Sequence, residues 1–301
     1  MKNQFLIESD SEIEKIRELG VKSVQIDPTK SRAVETPSAE QPRPRPVPDE
    51  RKPAPAVTSD DLITTIQDRS LPRECKSWLV RQHSITTMKN LLENPTAQNI
   101  KEAKKGISEV VSLILTDDAI LPYLLDITSH DFYTYTHSVS VGILGVALAK
   151  SLFRNSDAHD MQALGVGFFS HDLGKVGINQ AIIMKPGKLT AEELEEMRRH
   201  SLLGYKLRQE TKQLTEESKT IVLQHHERID GTGYPRRLRG ENIHIYGKIC
   251  SIADVYEALT SDRPYRRKLP PFVALKIMKE EMSHHFQKDL FEKSVLLFKA
   301  S

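Results

Sequence analysis

The chain has 301 residues, enough to bury a substantial core in one large domain or two smaller ones. Lys and Arg number 43 against 41 Asp and Glu, so a formal charge of +2 excludes bulk electrostatic attraction to DNA or to a membrane surface. The two cysteines, Cys75 and Cys250, stand far apart outside any CxxC spacing, which excludes a disulfide framework and a cysteine metal site and predicts a reducing, cytoplasmic setting.

The N-terminus lacks the apolar stretch of a secretory signal, and no apolar run is expected to reach the ~18 residues of a spanning helix. Residues 1–30 read as strand, helix, strand: FLI, then SDSEIEKIRELG, then VKSVQID. Ser11 and Glu14 form a capping-box pair, Ile13, Ile16 and Leu19 share a face, and Gly20 stops the helix. This small α/β fragment is too short to hold a core of its own and is expected either to pack on something else or to be the remnant of a larger module, such as a truncated regulatory domain. Residues 31–59 carry seven of the sixteen prolines, including PRPRPVP at 42–48, and read as an extended, disordered linker. From residue 60 to 301 the signals are helical. ITTIQ, ECKSWLVRQHSITTMKNLLEN, AKKGISEVVSLILTD and TYTHSVSVGILGVALAKSLF have apolar residues near a 3.6 spacing or a nearly continuous buried face. AEELEEMRRHSLLGYKLRQ, KTIVLQHHE, IYGKICSIADVYEALTS and PFVALKIMKEEM extend the pattern, predicting one mainly α domain without a sheet.

Eleven histidines need sorting. His83, His159, His284 and His285 lack positioned partners and are expected to be exposed or capping. Of three His-Asp dipeptides, only His171-Asp172 follows an apolar helix, LGVGFF, and precedes LGK. On a helix the two side chains would point about 100° apart, and Lys175 would share a face with His171, able to place its charge on an anionic substrate. His137 and Asp254 interrupt apolar helices, where an unpaired imidazole or carboxylate is costly. His200 is read as closing a charged helical turn, and His225 and His226 as closing the helix TIVLQ. Singly, each is as readily a hydrogen-bonded core residue. Jointly, five imidazoles and two carboxylates suit a pair of divalent first-row cations.

With HDLGK at 171, KPGKLTAEELEEMRRHSLLG at 185, HHERIDGTGYP at 225, IADVYEALTSDRPYR at 252 and the upstream YTYTHSVSV, residues 120–300 resemble the HD-GYP domain, a bacterial branch of the HD phosphohydrolase superfamily. The resemblance implies a helical HD bundle that uses two divalent metal ions, Fe or Mn, to hydrolyse cyclic di-GMP to linear pGpG and in some members on to GMP. It implies metal ligation by His137, His171, Asp172, His200, His225, His226 and Asp254, with Asp172 as the bridge. Asp172 and Lys175 would carry the chemistry, and Lys175, Arg263 and Arg266 would contact the substrate's phosphates. A hydroxide between the metals would attack phosphorus in line. Asp230, Gly231, Gly233, Tyr234 and Pro235 would form a shaped loop, with Tyr234 at the pocket rim or against a partner, a diguanylate cyclase (GGDEF) domain being one that the family is linked to.

Four positions depart from the family's pattern. Tyr133 stands where third-metal members carry glutamate, implying two metals rather than three; Glu257 replaces an aspartate, Ile229 a tryptophan and Asn179 a proline. The competing expectations are a weakly active or inactive cyclic di-GMP receptor or scaffold, and a phosphohydrolase of another cyclic dinucleotide. The N-terminal fragment itself is similar to the end of a small domain that often precedes HD-GYP domains.

Overall fold

The computed structural model describes residues 59–126, 134–154, 156–212, 215–263 and 266–298. The α/β fragment expected at 1–30 and the linker up to residue 58 lie outside these, as does Tyr133. Ser59, assigned to the linker, instead opens the first described helix.

Helices α1 (Ser59–Gln67), α2 (Arg73–Glu93) and α3 (Ala97–Thr116) pack on one another, and α4 (Leu121–Asp126) leads towards α5 (Thr134–Phe153). Thr96 starts α3 by accepting a hydrogen bond from Asn99 N at 3.2 Å, which satisfies one of the amides a helix start leaves open. α5 is apolar almost all round because it is the axis of the core, flanked by α2, α3, α6 (Met161–Phe169) and α11 (Ile245–Thr260). Contrary to the sequence expectation, α5 does reach the length and apolarity of a membrane span; 72% of that stretch is buried inside the protein. Asp160 caps α6 through hydrogen bonds from Gln162 N and Ala163 N.

The remaining helices are α7 (Gln180–Ile183), α8 (Ala191–Arg198), α9 (His200–Glu210) and α10 (Glu216–Gln224), then α12 (Pro271–Glu280) and α13 (Lys288–Phe298) after α11; Ile221, Met278 and Phe298 carry α10, α12 and α13 into the same core. α13 was not anticipated, although Leu290, Phe291, Ser294 and Phe298 bury one helical face. The segment AEELEEMRRHSLLGYKLRQ is two helices, broken at Arg199, so His200 opens α9 rather than closing a turn. Thr190 and Glu193 form a reciprocal capping box at the start of α8. Among the described residues the only extended pairing is an isolated bridge between Arg263 and Arg266, which fits the expected mainly α class.

Candidate metal centre

The His171-Asp172 pair does not sit on a helix. α6 ends at Phe169, and a 3-10 turn begins at Leu173, so both residues occupy the break between them, 0% and 1% exposed. This turn approaches α9 so closely that a Cβ on Gly174 would lie 1.9 Å from the His200 carbonyl oxygen. His225 is the C-cap of α10 and His226 lies just past it, so the adjacent pair straddles a helix end instead of occupying successive helical positions. α5 contributes His137, and α11 contributes Asp254 and Glu257.

All seven expected ligands converge in two adjoining groups, Asp172 with His200, His225 and His226, and His137 with His171 and Asp254; within each group the candidate ligand atoms lie within 4.8 Å of one another. Asp172 faces both. Its Oδ1 is 3.3 Å from His200 Nε2 and 3.9 Å from His225 Nε2, while Oδ2 is 3.4 Å from both His137 Nε2 and His171 Nε2. His226 Nδ1 stands 3.7 Å from Asp254 Oδ2.

The tautomers explain why this crowd needs a cation. Nδ1 of His171, His200 and His225 lies 2.8, 2.7 and 3.0 Å from the carbonyl oxygens of Phe168, Met197 and Ile221, so each Nδ1 carries the proton and donates it. Each Nε2 is then a bare lone pair turned inward. His200 Nε2 and His225 Nε2, both acceptors, sit 3.2 Å apart. His171 Nε2 and Asp172 Oδ1 are buried without a hydrogen bond. Facing lone pairs repel and orphaned buried acceptors are costly, whereas a divalent cation between them satisfies both conditions. The mixed nitrogen and oxygen donor set fits first-row divalent ions.

Burial for the imidazoles, and surrounding charges for the carboxylates, keep most of the set deprotonated. Burial, followed by the neighbouring His171 and His200, pulls His225 down to about 3, and burial with His225 and His200 holds His226 well below the ordinary histidine value. His200 is also lowered, mainly by burial. Burial would raise Asp172, but Lys175, His171 and His137 outweigh it and hold the carboxylate well below its usual range. Asp254 is depressed in the same way, its burial outweighed chiefly by His137. His137 behaves oppositely: burial opposes its charge, yet Glu257, Asp172 and Asp254 together push it up to about 10.

Glu257 is more than a variant of the usual aspartate. It accepts a hydrogen bond from His137 Nδ1, from Arg263 Nη2 at 2.9 Å and from Ser261 Oγ at 2.7 Å. Arg263, expected on a phosphate, thus braces the carboxylate behind His137. Arg266 donates to the carbonyls of Ala258, Leu259 and Arg267, holding the chain that follows α11. Lys175 Nζ lies on Asp172 Oδ2 at 2.5 Å.

Beyond His226 the loop is tied down by Glu227, which sequence reasoning overlooked. Its buried carboxylate accepts from Arg236 N at 2.7 Å and Leu238 N at 2.9 Å. Asp230 accepts from both Thr232 N and Thr232 Oγ1, Gly231 adopts φ +80°, and a Cβ at Gly233 would meet the His226 carbonyl oxygen at 2.5 Å. The Tyr234-Pro235 peptide is cis. Tyr234 stacks on His226 with centroids 4.6 Å apart, and Arg198 lies over its outer face at 5.6 Å. None of Asp230, Gly231, Gly233 or Pro235 belongs to either group of candidate ligands that converge on Asp172 and His137.

Of the histidines expected to lack partners, His284 and His285 instead gather beside Asp230, with His284 Nε2 3.8 Å from Asp230 Oδ2. His83 is buried near Thr65, against the expected exposure, and His159 stacks on Phe153 while its Nδ1 pairs with Tyr246 Oη at 2.8 Å.

The HD domain family matches residues 124–290, and a domain of unknown function, DUF3391, matches residues 1–116. The chain belongs to the HD domain family, in its HD-GYP branch. This HD-GYP protein is 31% identical to the cyclic di-GMP phosphodiesterase PA4108 of Pseudomonas aeruginosa, over 95% of its own length and 67% of that relative. It is 34% identical to 3'3'-cGAMP-specific phosphodiesterase 1 of Vibrio cholerae over 74% of its length, spanning 49% of that protein. It is 30% identical to the cyclic di-GMP phosphodiesterase response regulator RpfG of Xanthomonas campestris, over 69% of its length and 53% of that relative. The HD-GYP protein therefore spans about two thirds of the first relative and about half of the other two. Its fold is also that of Bd1817, an HDG"Y"P protein from Bdellovibrio bacteriovorus, with a TM-score of 0.68 at 21% identity over 80% of this chain and 77% of that one.

Proposed function

We propose that this HD-GYP protein is a metal-dependent phosphodiesterase that opens cyclic di-GMP to linear pGpG. The observation that carries the reading is the convergence of the bare Nε2 atoms of His171, His200 and His225 around the two oxygens of Asp172, with His137 and Asp254 beside them. His137, His171 and Asp254 would hold one divalent ion, and His200, His225 and His226 the other, with Asp172 bridging; Fe and Mn suit these donors. Two such ions supply a water that ionises near neutral pH and Lewis acidity towards a phosphoryl oxygen.

The chain's own groups do the rest. The backbone carbonyls of Phe168, Met197 and Ile221 fix which nitrogen of each imidazole faces inward. Lys175, 22% exposed in its side chain, is the cation nearest Asp172 and would exchange that contact for a phosphoryl oxygen as charge accumulates there. Tyr234 stays protonated, raised by burial and then by Asp254 and Asp172, so its hydroxyl, on a ring stacked against His226 and covered by Arg198, would be a hydrogen-bond donor to the substrate. The likeness to 3'3'-cGAMP phosphodiesterases supports a second substrate reading, hydrolysis of a mixed cyclic dinucleotide.

The test is to supply Mn²⁺, or Fe²⁺ under reducing conditions, and follow cyclic di-GMP and 3'3'-cGAMP by chromatography. Conversion of cyclic di-GMP is expected; metal bound without turnover of either would leave a receptor. His171→Ala combined with Asp172→Ala is expected to remove both metal and turnover, and retained activity would mean the chemistry lies elsewhere.

A further inference from the structure

Arg208, on α9, poses a charge problem that the metal centre does not solve. It is 2% exposed, and burial alone pulls its guanidinium down to about 10. A buried guanidinium ordinarily rests on a carboxylate or on a full set of acceptors. Among the described residues Arg208 forms no ion pair with a carboxylate. Its Nη2 donates to Ser170 Oγ, while its Nε is buried without a hydrogen bond. The side chain borders a small cavity whose other walls are largely apolar, among them Leu91, Ile107, Val166 and Leu173, and Lys104 also lines it. The cavity thus has two cationic side chains and no anionic one.

We infer that Arg208 and this cavity form a binding site for a small monovalent anion of chloride size. The apolar walls select the anion class. A multiply charged oxyanion such as phosphate would lose far more hydration on entering than one guanidinium returns, whereas a weakly hydrated halide needs one charge and one or two N–H donors. The site is distinct from the metal centre but touches it, because Arg208 grips Ser170, the residue immediately before His171. Anion binding therefore stiffens the turn that presents His171 and Asp172. The inference stands whether or not the chain hydrolyses cyclic di-GMP.

The experiment measures the thermal midpoint of the full chain in sodium chloride, bromide, gluconate and phosphate at one ionic strength. Chloride and bromide are expected to raise the midpoint by a few degrees over gluconate, saturably, with phosphate no better than gluconate. Arg208→Met is expected to abolish the difference between anions. Equal midpoints in all four salts, the same halide effect in Arg208→Met, or a preference for phosphate would each overturn the proposal. Should that variant fail to fold, crystals of the unaltered protein grown in bromide decide the matter: anomalous density within hydrogen-bonding distance of the Arg208 guanidinium supports the site, and its absence there overturns it.

Discussion

Glu257 belongs to neither ligand group, yet it sets the state of a residue that does. By accepting the Nδ1 proton of His137 it turns Nε2 towards Asp172 and Asp254, and Arg263 holds it there. Glu257→Gln keeps an acceptor for His137 but loses the charge, and is expected to weaken metal affinity by about 10- to 100-fold, read by metal titration. Because its own value is depressed to about 2, burial being outweighed by His137 and Arg263, its contribution to stability is present above the ordinary glutamate range. That contribution is lost as pH falls towards about 2, so the metal-free protein should lose stability more steeply in acid than Glu257→Gln does. His137 carries the opposite sign. Raised to about 10, it favours the metal-free fold while protonated and loses that effect as pH climbs through about 10. Metal must displace its inward proton. Calorimetry in buffers of different ionisation enthalpy at pH 8 is expected to show about one proton released from His137 when the site it shares with His171 and Asp254 fills, and none from His137 when the other site fills. The seven candidate ligands were legible through the motifs that carry the HD-GYP resemblance, and His137 and Asp254 also because they interrupt apolar helices. Glu257's role was not, since its partner His137 lies 120 residues away.

At the level of elements, the 3.6-residue apolar rhythm marked α2, α3, α5 and α11, the helices whose faces are buried. The same rhythm concealed the break between α8 and α9. Nothing glycine- or proline-like separates α8 from α9 at Arg199, and α10 stops at Gln224 without a conventional terminator. The break at Arg199 was invisible because a tertiary contact makes it, the 3-10 turn at Gly174 pressing on the start of α9, whereas the end of α10 falls where His225 and His226 were read as closing it, and Glu227 gathers the loop beyond. Each break places an imidazole at a helix end, where its ring can turn inward. Glu227→Ala is expected to free the amides of Arg236 and Leu238 and slacken the loop bearing Tyr234. Metal content should remain near normal while KM rises several-fold, separating loop from ligands; loss of metal would show that the loop also holds His225 and His226 in place. Gly174→Ala, by contrast, is expected to drive the His171-Asp172 turn away from His200, lowering stability by about 3 kcal/mol or more and metal content with it.

Across the whole molecule the candidate metal centre joins elements that are distant in sequence: α5, the α6 end, α9, the α10 end and α11 all bring candidate ligands to it. Bound ions should therefore act as a clasp on the fold. With free metal at about 100 times Kd, one site adds about 2.7 kcal/mol, and a chelator is expected to lower Tm by about 5–10 °C in differential scanning calorimetry. The apolar girth of α5 has a further consequence during synthesis. α5 leaves the ribosome as a segment that a membrane insertase could accept, and one of its main partners, α11, is completed only at Thr260. At ordinary elongation rates that interval of roughly 100 residues lasts about 5–20 s. Throughout it the span-like helix lacks its α11 cover, so its safe delivery depends on a chaperone's grip or on swift docking with the already finished α2 and α3 and with α6, complete at Phe169.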